Sequence, residues 1–309
     1  MDKYDVVKTV GKQLAIDMNC SESDFHSCEI IVTEAAKNPG RNMFGDCDRM
    51  LSGCCFGGSA VFSVNHELVE ELTLLFDGHD PSWIFEQKAL VALEEKLYLS
   101  GHNISDMYQY YVPDPELPKT EEKFDIQWIE QDELKKYVDL SVAQDALGFD
   151  EGAPDILAVA AKDKGRIVGM AAASLDSPLF WQIGAQVLPE YREQGIATNL
   201  VGLLKDETLR RGAIPYFGSF SSHSVSQSVG YAAGFFPCWS KIVSSPRTDE
   251  FLGYRYFYCR QEALSAAAER ASLRIFFVFP RNLAAYSGLL CRARRSRRDR
   301  AAHLASPYS

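Results

Sequence analysis

The chain has 309 residues, of which 46% are hydrophobic and 24% are charged, and its formal net charge is −10. These proportions are typical of a globular protein with one or two domains. An acidic chain is a poor general binder of nucleic acid, which requires basic surfaces against phosphate. No apolar run approaches the roughly 20 residues of a membrane-spanning helix, and the first residues lack the pattern of a secretory signal. We therefore predict a cytoplasmic protein without nucleic-acid or membrane partners.

Residues 60–64 have the composition of a strand, and Asn65 can cap an amphipathic helix that ends at Gly78. A second helix is predicted after Ser82, and an aromatic strand is predicted at 107–112. These elements indicate a small α/β unit whose periodicity carries no information about chemistry.

Eight cysteines are present, and we expect reduced thiols because no export signal is recognised. Cys47, Cys54 and Cys55, with His66, form the cluster that most resembles a zinc site. Their spacing does not give two C-x-x-C pairs, and adjacent cysteines chelate one ion poorly. We predict buried thiols and no metal.

The second half of the chain is richer in regular elements. Two apolar strands at 156–161 and 166–174 flank a Lys-Asp-Lys-Gly turn, which predicts a hairpin. Further strands are predicted at 125–129, 179–187, 214–220, 238–244 and 251–259, and helices at 132–140, 196–211 and 223–235.

Composition divides the chain into four predicted parts. Residues 1–112 form an α/β domain of unknown role, and 113–123, with three prolines among charges, form a stiff linker. Residues 124–260 form a second domain. The Ala- and Arg-rich tail at 261–309 is predicted to be disordered.

The stretch VLPEYREQGIAT at 187–198 joins a predicted strand to a predicted helix. The first turn of a helix has backbone N–H groups without intrahelical partners, and together with the helix dipole they attract anions. Gly195 allows close approach to the backbone, Ala197 keeps the next position small, and Arg192 adds a positive charge. This loop is therefore predicted to bind a pyrophosphate.

In this context the chain resembles the GNAT superfamily of acyl-CoA-dependent N-acyltransferases, whose signature is V-x-P-x-x-R/Q-x-x-G-x-G/A. The residues that match it are Val187, Pro189, Arg192, Gly195 and Ala197. A second signature helix is approximated by His223, Ser226, Gly234 and Phe235. The resemblance covers about residues 124–260. It implies an α/β (α+β) fold with a mixed, mostly antiparallel sheet flanked by helices, here preceded by a smaller α/β domain.

The resemblance also implies where acetyl-CoA binds as co-substrate. The molecule would lie in a V-shaped gap between the strands at 179–187 and 214–220, with Arg192 and Ser226 beside it. The pyrophosphate would accept hydrogen bonds from the backbone of Gln194, Gly195, Ile196, Ala197 and Thr198. The pantetheine arm would pair with the backbone of Ala185, Gln186 and Val187.

The sequence indicates the general base and the general acid less clearly than the cofactor site. The strand that often carries a carboxylate base has Gln182 and Gln186, which cannot accept a proton at neutral pH. The remaining candidates for the general base are Asp176, Glu190 and a residue of the N-terminal part. Tyr231 is the candidate general acid, one residue after the usual position, which Gly230 occupies.

His223 stands where the family has asparagine, and could bind the cofactor, act as a base or cap a helix. The sequence thus predicts transfer of an acetyl group from acetyl-CoA to the primary amine of an unidentified small molecule. The alternatives are a protein N-terminal or lysine acetyltransferase, or an acyl-CoA-binding module without turnover.

Overall fold

The computed structural model describes residues 1–42 and 49–247, all of which fall in one compact unit. The α-helices of these ranges are α1 (Lys3–Asp17), α2 (Val69–Phe76), α3 (Gln87–Leu99), α4 (Gln131–Leu134), α5 (Ile196–Arg210) and α6 (Ser224–Ala232). The strands are β1 (Ile30–Glu34), β2 (Leu51–Phe56), β3 (Ser59–Val64), β4 (His102–Pro113), β5 (Asp125–Glu130), β6 (Asp155–Asp163), β7 (Arg166–Leu175), β8 (Phe180–Val187), β9 (Ile214–Phe220) and β10 (Phe235–Pro246). Short 3₁₀ helices lie at Glu22–His26, His66–Leu68, Pro81–Trp83, Lys135–Tyr137, Ser141–Ala143 and Pro189–Tyr191.

The ten strands form one sheet in the order β1-β3-β2-β10-β4-β9-β8-β7-β6-β5. Two neighbouring pairs, β1–β3 and β8–β9, are parallel, and the other pairs are antiparallel. Helices flank this sheet. The predicted fold class, a mixed and mostly antiparallel sheet with flanking helices, is confirmed.

Strand β9 changes partner halfway along its length. Its first residues, Ile214–Tyr216, pair in parallel with Phe180–Gln182 of β8. Its last residues, 217–220, pair with β4 instead. Beyond Gln182, β8 continues to pair only with β7 on its other edge. The two strands therefore diverge into a V-shaped gap, as the family resemblance implies, and the Gln182–Tyr216 pair is its vertex.

Helices cover the two faces of this region differently. The apolar side of α5, including Leu200 and Leu204, packs in one buried cluster with Phe217 of β9. Helix α1 packs in another buried cluster with Tyr216, the next residue along β9. Because successive strand residues point to opposite faces, α5 and α1 lie on opposite sides of the sheet.

Most predicted elements are confirmed within two or three residues. The hairpin turn between β6 and β7 has Lys164 and Gly165 at positive φ. The predicted helix at 132–140 is shorter, since α4 ends at Leu134 and continues as a 3₁₀ turn. Leu134 is the one buried side chain of that stretch, so little apolar surface supports a longer helix.

The segment 113–123, predicted as a linker, joins two strands of the same sheet. β4 lies before this segment, yet it pairs with β9 and β10, which come after it. The described chain is therefore not divided into separate bodies at this segment. The predicted strand at 251–259 and the tail at 261–309 lie outside the described residues.

None of the helices in the described ranges is both long and apolar enough to cross a lipid bilayer.

Candidate active site: the gap between β8 and β9

The loop between β8 and α5 is shaped by two residues at positive φ. After the 3₁₀ turn at Pro189–Tyr191, Glu193 has a φ of 62° and Gly195 has a φ of 80°. Gly195 is the N-cap of α5, and no atom lies within 4 Å of the place where its Cβ would be. The backbone at the start of α5 is therefore open to an approaching group.

Backbone N–H groups in this turn lack acceptors. The first hydrogen bond of α5 runs from the Asn199 N–H to the Gly195 carbonyl at 3.0 Å. No described residue accepts a hydrogen bond from the N–H of Ile196, Ala197 or Thr198. Unpaired N–H groups at the positive end of a 15-residue helix form a site for an anion.

Arg192 holds this loop to the end of β8. Its Nε donates to the Val187 carbonyl at 3.3 Å, while the residue as a whole is exposed. Gln194 is exposed as well. Arg192 and Gln194 thus lie in the same loop that leads into the unpaired N–H groups at the start of α5.

One wall of the gap is β8. From Ile183 to Val187 this strand has no partner on its β9 edge among the described residues, so backbone groups of this edge face the gap. Ala185 and Gln186 are half-buried. The Gln186 Oε1 accepts a hydrogen bond from the Asp145 N–H at 3.1 Å, which fixes this side chain to the segment that follows Ser141–Ala143.

That segment lies directly on β8. A Cβ at Gly184 would be 2.7 Å from the Asp145 carbonyl oxygen and 2.9 Å from that of Ala146, closer than real Cβ atoms come. Glycine at 184 is therefore what allows this close contact, and the face of β8 opposite α5 is covered at this level.

The start of α6 contributes the second predicted group at the mouth. His223 is the N-cap residue of α6, and its Nδ1 lies 3.0 Å from the Ser226 Oγ. Its backbone N–H donates to the carbonyl of Phe220, the last residue of β9. His223 is exposed and Ser226 is half-buried. The structure therefore brings these two predicted residues together at the open end of β9.

Tyr231, the candidate general acid, contacts strand β4. Its ring packs edge-on against Tyr111 of β4, with the centroids 5.5 Å apart. Burial first, and then a hydrogen bond with Tyr231, raise the pKa of Tyr111 to about 12. Because β4 borders β9 on the edge away from β8, Tyr231 contacts the strand that lies on the other side of β9 from the gap.

Position 230, directly before Tyr231, has no room for a side chain. A Cβ at Gly230 would lie 2.0 Å from the Phe217 ring, which also stacks on Tyr111 at 4.7 Å. The space used by a side chain at the usual tyrosine position is therefore filled by Phe217.

A buried polar network lies at the vertex. The Tyr216 hydroxyl donates to the Asp176 Oδ2 at 2.6 Å, and the Ser174 Oγ donates to the Asp176 Oδ1 at 2.6 Å. Gln182 Oε1 lies 3.2 Å from the same tyrosine oxygen, and the Asn42 Nδ2 donates to that oxygen at 2.9 Å. Asp176 was one sequence candidate for the base, whereas Tyr216 and Asn42 were not predicted to be polar partners of it.

Burial raises the pKa of the Asp176 carboxyl to about 7, and the hydrogen bonds from Ser174 and Tyr216 only partly oppose that effect. Nearby negative charge from Asp155 and Asp150 acts in the same direction as burial. Burial also raises the pKa of Tyr216. A carboxyl group with a pKa near neutrality can accept and release protons at physiological pH.

The other candidate bases and ligands are less suitably placed. Glu190 is exposed and lies 3.5 Å from Arg166 in an ion pair. Cys54 is buried and Cys55 half-buried; burial raises the pKa of both thiols, that of Cys55 to about 12. Such thiols are protonated at neutral pH. Cys47 lies outside the described residues, within which no group of three potential ligands is present.

Comparison with known proteins agrees with the sequence motifs. Residues 104–233 match the model of the acetyltransferase (GNAT) family, whereas no curated protein matches the chain. A GNAT-family acetyltransferase from Colwellia psychrerythraea is similar in structure, with 14% identity over 80% of this chain and 98% of that one and a TM-score of 0.38.

A GCN5-related N-acetyltransferase from Sphaerobacter thermophilus is 14% identical over 62% of this chain and 74% of that one, with a TM-score of 0.40. The aminoglycoside N-acetyltransferase AAC(6')-Iy, in complex with CoA, is 20% identical over 42% of this chain and 99% of that one, with a TM-score of 0.28. On the family match and the motifs that lie within it, residues 104–233 of this chain constitute a domain of the acetyltransferase (GNAT) family.

Proposed function

We propose that the protein transfers an acetyl group from acetyl-CoA to a primary amine of a small molecule. Family membership supports acetyl transfer in general. The binding of acetyl-CoA is supported by one observation, the gap between β8 and β9 with unpaired N–H groups at its mouth. A strand edge without a partner and an anion site at its end suit an arm that carries a pyrophosphate.

In this proposal the start of α5 holds the pyrophosphate, and Arg192 stabilises its charge. The free edge of β8 from Ala185 to Val187 orients the pantetheine arm, and His223 with Ser226 borders it on the β9 side. Acetyl-CoA supplies the activated acetyl group, which the amine attacks directly. The chain contributes orientation and removal of a proton from the ammonium group.

Charge supports a cationic acceptor. The chain has a net charge of −10, and the segment from Gln131 to Pro154, part of which covers β8, has six acidic and two basic residues. Negative potential near the gap would concentrate ammonium compounds. A protein N-terminus or lysine side chain is also a primary amine. Acceptors of different size therefore separate the small-molecule proposal from the protein-acetyltransferase alternative.

The test is release of the CoA thiol from acetyl-CoA in the presence of a panel of primary amines and of short peptides with a free N-terminus or lysine. We expect thiol release and an N-acetylated product with small amines. Product with peptides alone would favour the protein-acetyltransferase alternative. Tight binding of acetyl-CoA without product from any acceptor would identify a binding module.

A further inference from the structure

A buried proton acceptor lies beside the vertex of the gap, and it is not on the strand that often carries the base in the family that the sequence resembles. We propose that Tyr216 and Asp176 form a proton relay, in which the Tyr216 hydroxyl takes a proton from the acceptor ammonium and passes its own to Asp176. This inference rests on the proposed acetyl transfer and names the residues that would deprotonate its acceptor.

Tyr216 of the proposed relay lies at the closed end of the gap between β8 and β9. Tyr216 and Gln182 form the last pair before β8 and β9 diverge, so their side chains are the first at the closed end of the V. Phe217, the next residue of β9, belongs to the cluster under α5, whereas Tyr216 belongs to the cluster under α1. The hydroxyl therefore lies on the sheet face opposite α5, the helix whose start is proposed to hold the pyrophosphate, and Tyr216 is 2% exposed.

Hydrogen bonds orient the relay. A phenol has one proton to donate, and the shortest contact, 2.6 Å, assigns that proton to Asp176 Oδ2. Asn42 can only donate through Nδ2, so it occupies a lone pair of the Tyr216 oxygen at 2.9 Å. The Oε1 of Gln182, a half-buried residue, lies 3.2 Å from the same oxygen. The arrangement holds the phenolic proton toward Asp176 and leaves the oxygen as the acceptor for an incoming N–H.

The charged and titratable groups around Asp176 favour a proton-accepting role. Asp155 and Asp150 are its carboxylate neighbours, and Tyr216 and Ser174 donate to it. Asp155 in turn accepts the N–H groups of Gly148 and Phe149 at 2.9 and 2.7 Å. Within the described residues, the groups that contribute most to the pKa shift of Asp176 include no cation.

The proton balance of the step is complete. An ammonium N–H bond breaks and its proton binds Tyr216 Oη, while the phenolic proton moves to Asp176 Oδ2. The freed nitrogen lone pair forms the bond to the acetyl carbon, and the C–S bond breaks. A second amine proton ends on the departing thiol, and Asp176 later loses its proton to water.

The experiment uses the full chain, acetyl-CoA and two probe amines, propylamine, which is protonated at neutral pH, and 2,2,2-trifluoroethylamine, which is mostly unprotonated. We expect Asp176→Asn and Tyr216→Phe to lower kcat for propylamine about 100-fold, because general base catalysis contributes on that scale. For trifluoroethylamine we expect at most a few-fold change, because no proton has to be removed before attack. Equal losses for both amines, or none for either, would overturn the relay.

Tyr137→Phe is the matched control, since it also removes a hydroxyl that is hydrogen-bonded, here to the Gln127 Nε2 at 2.9 Å on the outer strand β5. It should leave both rates unchanged. Calorimetric binding of acetyl-CoA is measured for every variant, and parental affinity shows that the binding site is intact.

A second readout needs no turnover. The ¹³C signal of the Asp176 carboxyl carbon, assigned by its absence in Asp176→Asn, should titrate near neutrality, and in Tyr216→Phe at higher pH because a stabilising donor is lost. Titration near pH 4 in the parent would overturn the relay even if the enzyme were active. A parent that titrates as expected, yet acetylates neither probe amine nor any other acceptor, would instead contradict the proposed function.

Discussion

The ring of Phe217 packs directly against the backbone of Gly230. The ring occupies the space that any Cβ at this position would need, and it stacks in turn on Tyr111. This packing links α6 to both β9 and β4. It also explains in physical terms why the tyrosine of this helix stands at 231 rather than 230.

We expect Gly230→Ala to lower the free energy of unfolding by about 1–3 kcal/mol, because an added methyl group in a filled core forces its neighbours to move. Urea unfolding followed by circular dichroism measures the change. Gly152→Ala serves as the control, since a Cβ there would be 3.4 Å from its nearest neighbour in an exposed loop. Equal stability of Gly230→Ala and the parent would show that Phe217 has room to move.

Asp176 makes the stability of the fold depend on pH. Its folded-state pKa is raised from the ordinary value of 3.8 to about 7. A group with a raised pKa binds its proton more tightly in the folded state, so its contribution is present at pH below 4 and is lost as the pH rises through 7. At roughly 1.4 kcal/mol per pKa unit, the full effect is on the order of 4 kcal/mol.

We therefore expect the parent's free energy of unfolding, relative to that of Asp176→Asn, to fall between pH 5 and pH 8.5. Urea midpoints of both proteins at these two pH values measure it. Activity should change in the opposite direction over the same range, because the base must be ionised to act. A stability difference that is constant with pH would contradict the raised pKa.

At the scale of elements, the α5 loop could be predicted because its signal is local. Strand, proline, glycine and amphipathic helix follow one another between Phe180 and Arg210, and each restricts the backbone by itself. The vertex network could not be predicted in the same way. Tyr216 lies 40 residues from Asp176 and 174 residues from Asn42 in the sequence. Such contacts arise from strand order, which periodicity does not specify.

Helix α1 is not among the elements predicted from the sequence, because its apolar stripe is narrow. Its buried residues Val6, Val10 and Leu14 have one-turn spacing, but the helix carries many polar residues between them. Its place under Tyr216 and Trp239 depends on the sheet that supplies the rest of that cluster.

At the scale of the whole molecule, the sheet joins the part before residue 113 to the part after 123. β4 contributes Tyr111, stacked on Phe217, and Tyr110, stacked on Trp239 of β10 at 4.8 Å. The family match itself begins at residue 104, inside β4. A composition-based linker thus corresponds to a connection within a shared core rather than to a division between independent cores.

We expect the described part of the chain to unfold in a single cooperative transition, because buried clusters contain residues from both sides of the connection. Differential scanning calorimetry should give a calorimetric enthalpy equal to the van't Hoff enthalpy for the main transition. Two well-separated main transitions would mean that the two parts are stable independently.

We propose that the gap and the start of α5 bind acetyl-CoA, and substitution of Gly195 tests this binding site most directly. Gly195→Glu places a bulky negative group where phosphates would approach unpaired N–H groups. Losing two hydrogen bonds to charged partners, at about 1.5–3 kcal/mol each, weakens binding at least a hundredfold. Gly212→Glu is the matched control at the other end of α5, about 25 Å away along the helix. Its φ of 87° and open surroundings resemble those of Gly195, with 80°.

The measurement is isothermal titration calorimetry of acetyl-CoA with the parent and both variants, with circular dichroism as the folding control. We predict that folded Gly195→Glu loses at least a hundredfold in affinity, while Gly212→Glu, which has the same backbone strain, binds as the parent does. Parental affinity in folded Gly195→Glu, or an equal loss in both variants, would contradict the assignment of this loop as the phosphate-binding site.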